Sequence, residues 1–204
     1  MSVATRYLLT TEVLFDKENK PQLIAAWQKK LPANTNLYLS ENEDTLLELQ
    51  AVSELTELAS LLKGDHFSQI KKDTKKYLRS DLRQELLSFV ENVIPQKKSL
   101  PTGEFLQMRH IEVPLHVHDD YLDWRKDTIF KHVEKLKNID SFVAYHSALS
   151  HQPGVMFVSS FSCSPKDYLA GFTNPTYQAI AQQAGDRFIV GGKQGLYTTL
   201  YKKI

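Results

Sequence analysis

Histidine is the side chain best suited to move a proton near neutral pH, and this chain concentrates it. Of its seven histidines, His110, His116, His118, His132, His146 and His151 all fall between residues 110 and 151. Two of them read as strand residues with chemically useful neighbours. In EFLQMRHIEV, side chains alternate between two faces, so His110 and Glu112 share one. A carboxylate there could orient the imidazole for general base work, and an ordinary hydrogen-bonded pair has the same spacing. In SFVAYHSAL, His146 shares a face with Phe142, Ala144 and Ala148, and the two alanines leave room beside a ring. Tyr145, Ser147 and His151 take the opposite face. On a helix expected over 119–136, Tyr121, Thr128 and His132 form one line beside the apolar stripe of Leu122, Ile129, Val133 and Leu136. A histidine in that place faces a cavity between helix and sheet, or packs and makes one hydrogen bond. The expected site therefore has His110, His132 and His146 as catalytic candidates and Tyr121 and Tyr145 as substrate-binding candidates, all in the second half.

Three other groupings have residue types that could do chemistry. His116-Val117-His118-Asp119-Asp120 has metal-ligand residue types, but no coherent ligand geometry follows from the spacing, and no metal is expected. Cys163 stands just before Ser164-Pro165, near a helix start that would favour a thiolate. It has no defined histidine partner and reads as a structural cysteine. Gly191-Gly192-Lys193-Gln194-Gly195 lies between a helix and a strand, whereas a phosphate-cradling loop runs from strand to helix, so it reads as a turn.

The elements that must position these residues alternate in a regular order. Tyr7–Phe15 reads as a strand, 20–30 as a helix, and 37–39 and 45–52 as two strands joined by a polar loop. A helix starts at Glu54, and a second, long and charged, is expected from His66 to about Ile94, with Ile70, Tyr77, Leu78, Leu82, Leu86, Leu87, Val90 and Val93 as its buried stripe. PQKKSLPTG is a linker. The second half runs strand 104–114, helix 119–136, strands from 141 and 155, helices 165–172 and 175–188, and strand 196–202. Each half thus follows β-α-β-β-α-β, the ferredoxin-like unit. Thr45-Leu46-Leu47 aligns with Val155-Met156-Phe157, and Trp27 and Trp124 fall in the first helix of each half. The expected fold is α+β: two tandem ferredoxin-like repeats, 1–103 and 104–204, whose sheets pack into an α/β barrel. The strand at 104–114 would have to end one repeat and begin the next, unless a further short strand serves.

Composition bounds the partners. The 204 residues carry a formal net charge of +1, with 42% hydrophobic and 24% charged residues. So even a balance argues against a nucleic-acid binder that relies on bulk positive charge. No apolar run approaches the roughly 20 residues that span a bilayer, and the N-terminal stretch lacks a signal-peptide core. One cysteine allows no intrachain disulfide. A cytoplasmic protein with a small-molecule ligand, and with neither nucleic acid nor membrane as partner, is the expectation.

The element order, together with FTNPTYQAIAQQAG at 172–185, resembles the dimeric α/β-barrel superfamily, which includes antibiotic-biosynthesis monooxygenases, heme-degrading monooxygenases and chlorite-dismutase-like proteins. The resemblance implies two ferredoxin-like sheets closed into a barrel, either within one chain as an internal pseudo-dimer or across a homodimer. It also implies a small-molecule monooxygenase-like enzyme that uses no cofactor. A non-catalytic ligand- or heme-binding module, or an interaction protein of the same fold, is the alternative. The family's heme-degrading pattern places an asparagine on the first strand, a tryptophan on the third and a histidine on the second helix. VMFVSSFS has no tryptophan and the second helix region of repeat two has no histidine, which counts against heme degradation.

Overall fold

The computed structural model describes residues 4–150 and 154–204; His151 lies outside them. Four strands of the first half, β1 (Tyr7–Leu14), β2 (Thr35–Ser40), β3 (Thr45–Val52) and β4 (Arg83–Ile94), form an antiparallel sheet in the order β4-β1-β3-β2. Helices α1 (Lys20–Gln28), α2 (Leu55–Lys63) and α3 (His66–Thr74) accompany it. The second half repeats the plan with β5 (Phe105–Ile111), β6 (Ser141–Leu149), β7 (Val155–Phe161) and β8 (Tyr197–Lys203), ordered β8-β5-β7-β6. Its first helix is α4 (His118–Arg125), continued through a π-helical turn (Lys126–Phe130) into α5 (Lys131–Val133); α6 (Pro165–Thr173) and α7 (Pro175–Arg187) follow β7. Local chemistry sets the last two starts. Ser164 and Asn174 accept hydrogen bonds from the Asp167 and Tyr177 amides, and each precedes a proline in the first turn, where proline's missing N–H is no loss.

The two sheets join at both edges. β2 pairs with β8, from Tyr38 opposite Lys203 to Ser40 opposite Tyr201. β4 pairs with β6 along its length, through several register shifts. All eight strands therefore form one closed antiparallel barrel, which removes the exposed edges that invite misassociation. Alternation sorts the side chains. Leu8, Tyr38, Leu47, Leu87, Leu106, Met108, Tyr145, Met156 and Tyr201 fill the barrel. Val13, Leu37, Leu46 and Ile70 pack the helix layer of repeat one, and Phe142, Phe157, Phe161, Tyr168 and Phe172 that of repeat two.

Two readings of the sequence need correction. The helix expected through residue 94 ends at Thr74, and 83–94 is strand β4. Leucines and valines at 82, 86, 87, 90 and 93 match a helical stripe, but β1 and β6 both offer ladder partners to this stretch, and tertiary pairing overrides local periodicity. β4 is the missing fourth strand of repeat one, so β5 serves only repeat two. The repeat alignment also slips. Leu47 faces the barrel interior, whereas Phe157 faces the helices, and a one-residue slip exchanges the faces of a strand.

The linker stoppers one end of the barrel. Leu100 is buried in the interior cluster, and the Pro101 carbonyl accepts from Asn36 Nδ2 at 2.8 Å. Gln96, also buried, donates through Nε2 to the Lys98 and Ser99 carbonyls. The opposite end stays open.

Closure of the barrel has a consequence for stability. Separately produced fragments 1–100 and 101–204 would each expose two sheet edges and an apolar sheet face, and neither should fold as a cooperative monomer. Size-exclusion chromatography and thermal unfolding of each fragment check this; two monomeric, cooperatively melting fragments would refute it. A second expectation concerns alkali. Burial pushes the phenols of Tyr38, Tyr121, Tyr145, Tyr168 and Tyr201 above the ordinary value of 10.0, and nearby Glu12 adds to the effect at Tyr201. The folded protein thus holds these protons more tightly than the unfolded chain. Their contribution is complete below about pH 10 and is lost as pH rises from there through the folded values. Near-ultraviolet titration should show these phenolates appearing together with loss of circular dichroism. Their ionisation in a still-folded protein would contradict that reading.

Candidate active site

The inward-facing residues at the open end of the barrel leave a cavity of about 590 Å3. β1 supplies Thr10 and Glu12, β4 Arg83 and Glu85, β5 Met108 and His110, and β8 Thr199 and Tyr201; Leu47 of β3 and Leu82 add apolar wall. Residues two apart on each strand meet here because alternate side chains point inward. Two polar pairs line the cavity. His110 Nε2 lies 3.0 Å from Glu85 Oε2, with the carboxylate side chain 7% exposed and the imidazole 21%. Glu85 Oε1 is buried and has no hydrogen-bond partner among the described residues. The Tyr201 hydroxyl donates to Glu12 Oε2 at 2.9 Å, and Arg83 Nη1 stands 3.8 Å from Glu12 Oε1.

The first pair has the chemistry of an oriented base. A carboxylate on Nε2 keeps the proton there and leaves Nδ1 as the acceptor of a neutral imidazole, and it stabilises the imidazolium that forms on protonation. The second pair can receive a polar atom of a ligand. Leu47, Leu82 and Met108 give the same cavity an apolar component, the usual mixture in a small-molecule site.

No family model matches the chain, and no curated protein does. Solved structures do. An anthrone oxidase-like protein superposes with a TM-score of 0.73 at 11% identity, over 100% of this chain and 94% of that one. A ferredoxin-fold protein related to antibiotic biosynthesis monooxygenases, from Listeria monocytogenes, gives 0.56 at 9% identity, covering 98% and 96%. A heme-degrading enzyme from the same species gives 0.53 at 10% identity, covering 96% and 98%. The chain has the dimeric α/β-barrel fold. At such identities the likeness speaks for the fold and for no residue of the site.

Within this dimeric α/β barrel the sequence-derived candidates separate. His110 lines the cavity, and its carboxylate partner is Glu85 of repeat one rather than Glu112. Tyr145 faces the interior below the cavity, buried against Phe89 with ring centroids 6.1 Å apart. The other three lie outside the barrel wall. His132 Nε2 is 2.8 Å from the Gly171 carbonyl oxygen and its ring lies against Tyr177. His146 Nδ1 is 3.1 Å from the Ser147 carbonyl oxygen, and its ring meets the edge of His118. Tyr121 is fully buried in the helix layer, beside the Arg125 guanidinium. His116 is exposed, and among the described residues no three histidine, cysteine or acidic side chains converge on a metal position.

Glu12, Glu85 and Tyr201 did not emerge from the sequence. Reading 83–94 as helix hid Glu85, and Glu12 and Tyr201 stand near opposite termini of the chain. A strand reading of RQELLSFVEN would have put Glu85, Leu87 and Phe89 on one face and flagged the buried acid.

Heme, which the fold's relatives bring into question, finds no fit around His132. The neighbouring cavity, between Arg109, Phe157, Tyr177 and Ala184, is about 20 Å3, against the hundreds of Å3 a ligand of that size needs. Phe161 and Tyr168 stack at 3.8 Å within this layer, and the His132 ring is already engaged. The residues of the helix layer do not fit the group.

Proposed function

We propose that this protein is a monooxygenase-like enzyme that deprotonates a small aromatic substrate in the barrel cavity and lets dioxygen oxidise the resulting carbanion. The His110–Glu85 pair on the cavity wall carries the reading. The substrate class follows the anthrone oxidase-like neighbour: a ring methylene made acidic by flanking aromatic rings and a ketone. His110 Nδ1 takes a proton from the methylene while Glu85 holds Nε2–H and stabilises the imidazolium. Arg83, which lines the same cavity, supplies the donor for the substrate's oxygen, while Tyr201 stays tied to Glu12. Dioxygen then takes four electrons from the carbon. One oxygen atom becomes the new ketone, and the other leaves as water with both methylene hydrogens. One methylene and one dioxygen are consumed for each ketone and each water formed. The apolar wall of Leu47, Leu82 and Met108 keeps the carbanion from bulk water.

Anthrone serves as the probe, with oxygen uptake and quinone absorbance as readouts. The enzyme should consume one dioxygen per quinone formed, well above the rate in buffer. A rate equal to buffer under saturating probe, with the probe bound, would replace the catalytic reading by one of binding alone.

A further inference from the structure

The opposite end of the barrel has its own pocket, whose lining holds cations and no acid. About 300 Å3 in volume, it is lined by Asn34, Thr35 and Asn36 at the start of β2, by the linker at 98–102, and by Lys203 at the end of β8. We propose that this pocket binds a dianionic phosphate group, held between the ammonium groups of Lys98 and Lys203.

Four observations carry the proposal. Two lysines line the pocket and no carboxylate does. Neither ammonium has an ion pair among the described residues, although Lys202, one residue before, pairs with Glu104. Burial, and then the charge of Lys98, hold the Lys203 ammonium below its usual pKa, which places the two cations near enough to disfavour each other. The rest of the lining adds neutral donors: the hydroxyls of Ser99 and Thr102 and the amide of Asn34, whose backbone is left-handed at φ 56. A site with paired cations, several neutral donors and no acid is short of an anion. A phosphate dianion would remove the repulsion and accept from both sides at once. The volume exceeds that of a bare phosphate, leaving space for the rest of a phosphate ester. The linker, β2 and β8 all meet there, so a bound phosphate would tie the stopper to both repeats.

The experiment uses the full chain at constant ionic strength, adjusted with chloride. Inorganic phosphate and glucose 6-phosphate are titrated by calorimetry, with thermal unfolding in parallel. Saturable binding of either is expected, with a rise in Tm that follows occupancy; tighter binding of the sugar phosphate identifies an ester as the natural occupant. Lys98→Gln and Lys203→Gln should each weaken binding about tenfold, the loss of one charge-assisted contact. Without phosphate, both variants should be at least as stable as the parent, because a repulsion has gone. No saturable heat with either probe would overturn the proposal. So would an equal response in parent and variants, which is the signature of a general salt effect.

Discussion

Replacing His110 by glutamine should slow oxidation of the anthrone probe by about 10²–10⁴-fold, the range general base catalysis supplies, with probe affinity nearly unchanged. Glutamine fills similar space and can hydrogen-bond Glu85, so the fold should survive. Glu85→Gln offers a sharper test, because the proposal has Glu85 act through the ring. An amide in place of the carboxylate can donate to Nε2 as well as accept from it. Donation would move the imidazole proton to Nδ1, the nitrogen proposed to take the substrate's proton. The imidazolium would also lose its counter-charge. The rate should fall by a large factor while KM stays nearly unchanged, a split that a merely structural role for Glu85 would not produce. Steady-state oxygen uptake over a range of probe concentrations measures both. Wild-type rates in His110→Gln and Glu85→Gln, with normal circular dichroism, would leave the proposed base without support.

The largest stability effect should come from Glu48, outside the cavity. This carboxylate, 1% exposed, sits on the helix-facing side of β3. It accepts from Trp27 Nε1 at 2.6 Å and lies 3.2 Å from His66 Nε2, so it ties α1 and α3 to the sheet. Glu48→Ala would strand the buried Trp27 nitrogen and the partly buried His66 ring and open space in the core. A loss of about 3–5 kcal/mol is expected, as for one partner removed from a buried pair. Glu48→Gln keeps an acceptor for the tryptophan and should lose much less. By contrast, Asp127→Ala, which breaks an exposed pair with Lys131, should leave stability almost unchanged, because water and salt screen such a pair. Urea unfolding of the three variants decides the order. A loss for Glu48→Ala no larger than that for Asp127→Ala would refute the buried role.

The chain's local chemistry determined a good part of this fold. Proline after a Ser or Asn cap starts α6 and α7 wherever the surrounding chain lies, because the capping bonds span only three residues. Alternation along EFLQMRHIEV put Leu106, Met108 and His110 on one strand face, and that face lines the barrel. The doubled β-α-β-β-α-β order pointed to two ferredoxin-like sheets. What tertiary structure alone decided was which strands meet and what each face looks at. Residues 83–94 carry a helical stripe, yet lie as β4 because β1 and β6 flank them with ladder partners drawn from distant parts of the chain. That choice brought Glu85 to His110 and placed the cavity between the repeats, walled by both. Tyr201 reaches Glu12 across 189 residues of sequence, a contact that exists only once β2 and β8 close the seam. His132 and His146 matched His110 in residue type, but their backbones turn them to the helix side of the sheet. Caps and alternation depend on neighbours a few residues away, whereas strand partners and sheet closure depend on the sum of pairings over the whole chain, which no local window contains.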